Sequence, residues 1–199
     1  CAEPLAVCLH AAKMGGEIAG KRVLVTGSGP IGILCAAIAA EAGAAEVVVT
    51  DLEDTVLDIA RQMGATRTIN VARGGAEMAS YAENKGHFDL AFECSAAAPA
   101  ITSAIAALRP RGVLVQVGVT GDTPMPVNMM VAKEIRLQGS HRFDAEFADA
   151  VAMITLGQID PRPIITGRYP LDQAADAFAA AADRTRSVKI HLTFAGEDR

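Results

Sequence analysis

Aromatic side chains are scarce in this chain of 199 residues: they make up 4% of it, and tryptophan is absent. The hydrophobic share of 51% is therefore carried mainly by Ala, Val, Ile and Leu, which suits a parallel sheet covered by helices on both faces. Basic blocks are missing and the net charge is −5, which argues against nucleic acid as a partner. No apolar run reaches the roughly 18 residues of a membrane span without a polar break, so none is expected. Cysteine is limited to Cys1, Cys8, Cys35 and Cys94, none in C-x-x-C spacing. Cys8 and Cys35 lie in apolar helical runs and read as small buried hydrophobes, so a reduced, cytoplasmic chain is expected. No signal peptide is visible, and the sequence opens on Cys1 rather than Met. A processed chain or a piece of a longer one would look this way. The length suits one α/β domain with a full core.

Against that background, the stretch Arg22–Thr50 carries most of the information. Arg22–Thr26 (RVLVT) is a short β-branched run, as in a strand buried on both faces. Gly27-Ser28-Gly29-Pro30-Ile31-Gly32 supplies G-x-G-x-x-G, and the Ala-rich run Ile31–Ala42 has helical length and propensity. Val47–Val49 reads as the next strand, with Asp51 directly after it. In a dinucleotide site Gly27 makes the tight turn, Gly29 lets a pyrophosphate approach the backbone, and Gly32 lets the helix pack closely. The helix N-terminus offers free N–H groups to the phosphates, and Asp51 can accept both ribose hydroxyls of an adenosine. The alternative is a Gly/Ala-rich packing site with a solvated acid.

The rest of the chain repeats the rhythm. Pro4–Met14 predicts a helix ended by Gly15-Gly16. Helices are expected over Glu53–Met63, Gly75–Lys85, Pro99–Leu108 and Phe143–Leu156. Strands are expected over Arg67–Asn70, Phe88–Glu93, Gly112–Val117 and Glu134–Gly139, with a Gly/Pro loop at Gly118–Pro126. This alternation predicts a doubly wound parallel sheet of six strands in order 3-2-1-4-5-6, with a ligand between strands one and four. From Pro161 the pattern changes: Ile164–Tyr169 is a candidate strand, Leu171–Ala182 a helix, and Val188–Phe194 an alternating strand. The domain reading is therefore 1–160 for a Rossmann nucleotide-binding domain and 161–199 for a strand–helix–strand tail.

Several pieces together resemble the zinc-dependent medium-chain dehydrogenases of the sorbitol dehydrogenase branch. They are Glu3-Pro4-Leu5-Ala6-Val7 with His10-Ala11, VTGSGPIG, Asp51-Leu52, and Phe92-Glu93-Cys94-Ser95. Val115-Gln116-Val117-Gly118, Gly139–Phe143 and Ile165–Leu171 add to the resemblance, which spans Ala2 to Phe194. It implies the cofactor-binding half of an oxidoreductase that moves hydride from a secondary alcohol of a polyol or sugar acid, C5 of L-idonate favoured, to NAD, with NADP a further option. It also implies a catalytic zinc whose ligands lie in an upstream domain that this sequence lacks. The chain alone is then expected to be inactive, and its tail to complete that domain. A non-catalytic NAD-binding module and an S-adenosylmethionine methyltransferase are the rival readings.

The resemblance implies cofactor contacts at Gly27, Gly29, Pro30, Ile31, Gly32, Asp51, Cys94, Ser95, Val117 and Gly118. It places Glu3 near the catalytic zinc, where a carboxylate can orient the bound water. Read from the residues alone, Glu3 is a helix N-terminal acid. It places Arg142 beside the substrate, where a guanidinium suits a sugar carboxylate or a partner such as Glu3; the alternative is a solvated loop residue. His141 is expected at the surface or in packing, and Cys94 in packing rather than as a nucleophile. His10, His87 and His191 form no metal spacing, so no metal ligand is assigned in this chain. Asp51 and Glu53, with no Arg within Leu52–Leu57, favour NAD over NADP. The sixth strand, Glu134–Ser140, would lie at a sheet edge with Ile135, Leu137 and Gly139 toward the core. Its free backbone groups are expected to pair two copies into a homodimer, with a tetramer open.

Overall fold

The computed structural model describes residues 1–194. The last five residues of the tail read as 161–199 lie outside the described residues. Helices and strands alternate as α1 (Ala2–Gly15), β1 (Arg22–Thr26), α2 (Pro30–Glu41), β2 (Glu46–Asp51), α3 (Asp54–Gln62), β3 (Arg67–Asn70), α4 (Gly75–Ser80), β4 (Phe88–Glu93), α5 (Ala98–Ala107), β5 (Leu108–Gln116), α6 (Val127–Lys133), β6 (Arg136–Gly139) and α7 (Glu146–Thr155). β1 to β6 form one parallel sheet in the order β3-β2-β1-β4-β5-β6, as expected. Then β7 (Ile165–Pro170), α8 (Ala174–Ala182) and β8 (Lys189–Thr193) follow, with β7 and β8 paired in parallel as a second sheet.

The alternation of strand side chains divides the core in two. Val23 and Val25 of β1, Val47 and Val49 of β2, and Leu90 and Phe92 of β4 pack under α1 and α2. Leu24, Val48 and Ala91 point the other way, onto Ile101 and Ile105 of α5. α1 crosses α2 and α7, and the last contact is clasped by one carboxylate. Glu146, 4% exposed, takes hydrogen bonds from Lys13 Nζ at 3.0 Å and the Asp144 N–H at 2.8 Å, with His10 Nδ1 at 3.3 Å.

Six local expectations need correction. The helix predicted over Gly75–Lys85 stops at Ser80, and a 3-10 turn at Glu83–Lys85 follows with Asn84 left-handed at φ 51°, a conformation that Asn tolerates. β5 starts at Leu108 instead of Gly112, because Arg109–Gly112 bulge between the Phe88–Leu108 and Leu90–Val113 pairs. α6 occupies a stretch where no element was expected; it has no buried residue. β6 begins at Arg136, since Glu134 is the left-handed cap of α6 at φ 52°. Leu137, expected to face the core, is 41% exposed, while Ile135 does pack against the α5 side. α7 likewise starts only at Glu146, after the turn in which the Asp144 N–H meets the Glu146 carboxylate.

Candidate functional site

The C-terminal ends of β1, β2, β4 and β5 meet at one edge of the sheet, where ligands of open α/β folds bind. The turn after β1 is shaped by two glycines that no other residue could replace. Gly27 has φ +88°, and a Cβ there would come within 2.9 Å of the Ser95 backbone. A Cβ on Gly32 would overlap the Gly27 carbonyl oxygen, so α2 lies directly on the turn. Gly29 is different. The nearest atom to a Cβ built there is a guanidinium nitrogen of Arg184, at 3.6 Å, which leaves the backbone open to the cleft. Pro30 starts α2 at its first turn, where a missing N–H costs nothing.

Asp51 closes the turn from the neighbouring strand. Its Oδ2 accepts the Ser28 N–H at 2.6 Å, and its Oδ1 accepts the N–H groups of Leu52 at 2.7 Å and Glu53 at 3.2 Å. The Ser28 hydroxyl, fully buried, donates to the Val56 carbonyl at 3.0 Å. The carboxylate is thereby fixed at the mouth of the turn.

These groups line a cleft of about 940 Å³. Gly27, Gly29, Pro30, Ile31, Gly32, Asp51, Cys94 and Ser95 all line it. Val117 and Gly118 do not, but both of their N–H groups donate to the Glu93 carbonyl, at 2.9 and 2.8 Å. The tail contributes Arg184, Ser187 and Val188 to the wall. Nothing local in the sequence pointed to them, because they reach the cleft only once β8 has folded back.

Glu93 is a further residue that the motif reading passed over. It is fully buried. Its Oε1 accepts from the N–H groups of Ser95 at 2.9 Å and Ala96 at 3.0 Å, and from the Thr26 hydroxyl at 3.3 Å. The Ser95 hydroxyl adds a short hydrogen bond to the same oxygen. Oε2 accepts Gln116 Nε2 at 2.6 Å, and the same amide donates to the Gly118 carbonyl at 2.8 Å. One carboxylate thus joins the ends of β1, β4 and β5. The available signal was an acid closing the otherwise apolar end of strand FDLAFE.

Cys94 sits beside Cys35, and that neighbour together with burial holds its thiol well above the usual range. It stays protonated, as a packing residue would. Glu3 and Arg142 are both exposed. Neither lines the cleft, and the structure brings them into no ion pair with each other. Arg142 is left-handed at φ 55°. His141 is exposed. His10 is held by Glu146, and His87 Nε2 lies 2.6 Å from Glu46 at the opposite end of the sheet. His191 lies 3.9 Å from the Cys1 sulfur, and burial lowers its pKa. Among the described residues no three His, Cys, Asp or Glu side chains gather as a metal site.

Residues 30–155 match the family model of the zinc-binding dehydrogenases. The chain is 39% identical over 194 residues to L-idonate 5-dehydrogenase (NAD(P)(+)) of Escherichia coli (strain K12), covering 97% of this chain and 56% of that protein. It is 34% identical over 180 residues to human sorbitol dehydrogenase, covering 88% and 50%. The chain thus spans about half the length of these curated relatives. The crystal structure of the E. coli L-idonate 5-dehydrogenase superposes with a TM-score of 0.92, covering 97% of this chain and 56% of that one. A Sinorhizobium meliloti 1021 protein described as a zinc-binding dehydrogenase, bound to NADP, is 27% identical with a TM-score of 0.89, covering 96% and 58%.

Proposed function

The chain belongs to the zinc-binding dehydrogenase family, and from that premise we propose that it is the nicotinamide dinucleotide-binding part of a polyol or sugar-acid dehydrogenase. The observation that carries this reading is the cleft itself, with an open Gly29 in its turn and Asp51 tethered to the adjacent Ser28. A bound nicotinamide dinucleotide supplies the hydride acceptor. Asp51 accepts the adenosine ribose hydroxyls, and the first turn of α2 faces the phosphates. The loops tied by Glu93 carry Cys94, Ser95, Val117 and Gly118 toward the nicotinamide end. Among the described residues no three His, Cys, Asp or Glu side chains gather to hold a zinc ion, and no metal ligand is assigned in this chain.

L-idonate, oxidised at C5, is the favoured substrate, in keeping with the 39% identity to the E. coli enzyme. In the whole protein Glu3 and Arg142 act at the substrate edge, Arg142 toward a sugar carboxylate. Residues 1–160 form the nucleotide-binding domain and the tail packs against the catalytic domain; exposed Leu171 and Phe178 on the tail support this division. Two copies pair through β6 into a homodimer, and a tetramer is compatible with that pairing. The four free cysteines suit a reducing, cytoplasmic location. No helix among the described residues is long and apolar enough to cross a membrane.

Isothermal titration of the 199-residue chain with NADH and with S-adenosylmethionine tests the reading. Saturable binding of NADH alone is expected. Binding of S-adenosylmethionine in its place would overturn it.

A further inference from the structure

The tail beyond β6 reaches the cleft at one charged point. We propose that Arg184 is a phosphate ligand of the cleft, pairing with the diphosphate of the bound dinucleotide and thereby tying the tail to the glycine turn. The inference rests on the dinucleotide reading above and adds to it a residue outside the G-x-G-x-x-G motif.

Three observations carry it. The first is position: an Arg184 guanidinium nitrogen is the nearest atom to a Cβ built on Gly29, 3.6 Å away. Gly29 is the residue whose missing side chain leaves room for a diphosphate, so the guanidinium faces that same space. The second is charge. Asp51 and Glu53 are the acidic side chains lining the cleft, and Arg184 is its one cation among the described residues. The acids stand at the end of β2, with Asp51 on the Ser28 N–H, and Arg184 stands over the neighbouring Gly29. A dianionic diphosphate matches the guanidinium, and a neutral ribose with hydroxyl donors matches the carboxylates.

The third is presentation. Arg184 lies in a turn that Asp183 organises. The Asp183 carboxylate accepts the Thr185 N–H at 3.1 Å and its hydroxyl at 2.6 Å, and the Asp183 carbonyl accepts the Ser187 N–H at 3.0 Å. No ion pair engages Arg184 itself among the described residues, whereas Arg73, Arg109 and Arg162 are each paired with an aspartate. An unpaired guanidinium on a fixed turn forms bidentate bonds to phosphate oxygens at low ordering cost.

The test compares wild type with Arg184→Gln, Arg184→Lys and Arg186→Gln in the 199-residue chain, titrated with NADH, ADP-ribose and adenosine. Arg186 is on the same turn but does not line the cleft, so it controls for net charge. Arg184→Gln is expected to weaken NADH and ADP-ribose on the order of tenfold, the scale of one charge-assisted pair, and to leave adenosine unchanged. Arg184→Lys should recover part of the loss, and Arg186→Gln should bind as wild type does. Undiminished binding of NADH by Arg184→Gln would overturn the proposal, as would an equal loss of adenosine, which marks a displaced tail. A wild type that binds none of the three ligands would instead overturn the dinucleotide reading on which it stands.

Discussion

The Ser28 N–H donates to Asp51 Oδ2 at 2.6 Å, across two neighbouring strands. This bond makes the glycine turn and the acid proposed to take the ribose one unit, so the charge of Asp51 has a fixed address. A 2′-phosphate placed on that ribose would meet Asp51 and, next to it, Glu53. The nearby Arg73 offers no relief, since it is paired with Asp54, which also accepts Asn70 Nδ2 at 2.8 Å. We expect NADH to bind this chain more tightly than NADPH, by on the order of tenfold or more. Asp51→Ala should lower NADH affinity and narrow the gap between the two. Competitive titration of both nucleotides measures it, and tighter binding of NADPH by wild type would refute it.

Gly29 and Gly32 separate binding from folding. A methyl group on Gly32 would overlap the Gly27 carbonyl oxygen, whereas one on Gly29 meets only the flexible end of Arg184. Gly32→Ala should therefore destabilise the fold by about 3 kcal/mol, the upper range for overpacking. Gly29→Ala should leave the urea midpoint close to wild type while weakening NADH binding. Equal stability of the two variants would show that the turn is not packed as described.

Glu93 gives a second dissection of the cleft. Its two oxygens accept from donors on both sides, so an amide there must turn an N–H toward another N–H. Glu93→Gln should cost about 1–3 kcal/mol and loosen the loops that carry Ser95 and Gly118. The Asp51 end is untouched by that change. We therefore expect NADH to weaken more than ADP-ribose, and the ratio of the two affinities is the readout. A parallel loss of both would mean that Glu93 supports only the fold.

How much of this was legible in the sequence depends on distance along the chain. β1, β3 and β4 were readable to the residue, because short β-branched or aromatic runs sit between glycines, acids and caps. The strand order followed from the alternation of elements. α6 was not readable: VNMMVAK is short, follows a Gly/Pro loop and has no fully buried residue, with only Met129 and Met130 packing partly against the core. Of the cleft, the residues of the glycine turn and Asp51 were legible as a local motif. Arg184 was not, since only the folding of β8 beside β7 brings it to Gly29. Glu93 was visible as an acid but not as a junction, because its donors come from three separate strand ends.

The clasp between α1 and α7 predicts a pH dependence. The Asp144 N–H, then the Lys13 ammonium and the His10 ring, hold the Glu146 carboxyl at about 2. A carboxylate whose folded pKa is depressed adds stability that is fully present above its unfolded value near 4.3. That contribution fades as pH falls from there through about 2. Urea midpoints measured across this acid range should fall more steeply for wild type than for Glu146→Gln. The two curves should converge at the acid end and stand apart at neutral pH. Parallel curves would place the acid sensitivity elsewhere.

The last expectation concerns the sheet edge. β6 pairs only with β5, Leu137 lying opposite Leu114, so one side of the strand faces outward. The Ser140 N–H points inward, to the Gln116 carbonyl at 2.9 Å. Because backbone groups alternate along a strand, the N–H groups of Leu137 and Gly139 point out of the sheet. The Leu137 side chain is 41% exposed, and Val127 and Val131 of neighbouring α6 are 61% and 73% exposed. An edge with free donors beside an apolar helix is suited to antiparallel pairing with a second copy about a two-fold axis. Leu137→Pro removes one outward donor and leaves the bonds to β5 in place. Light scattering should report a dimer for wild type and a shift toward monomer for the variant, with the far-ultraviolet circular dichroism unchanged. A wild type that stays monomeric at high micromolar concentration would refute the pairing, and a dimer indifferent to the proline would place the interface on another surface.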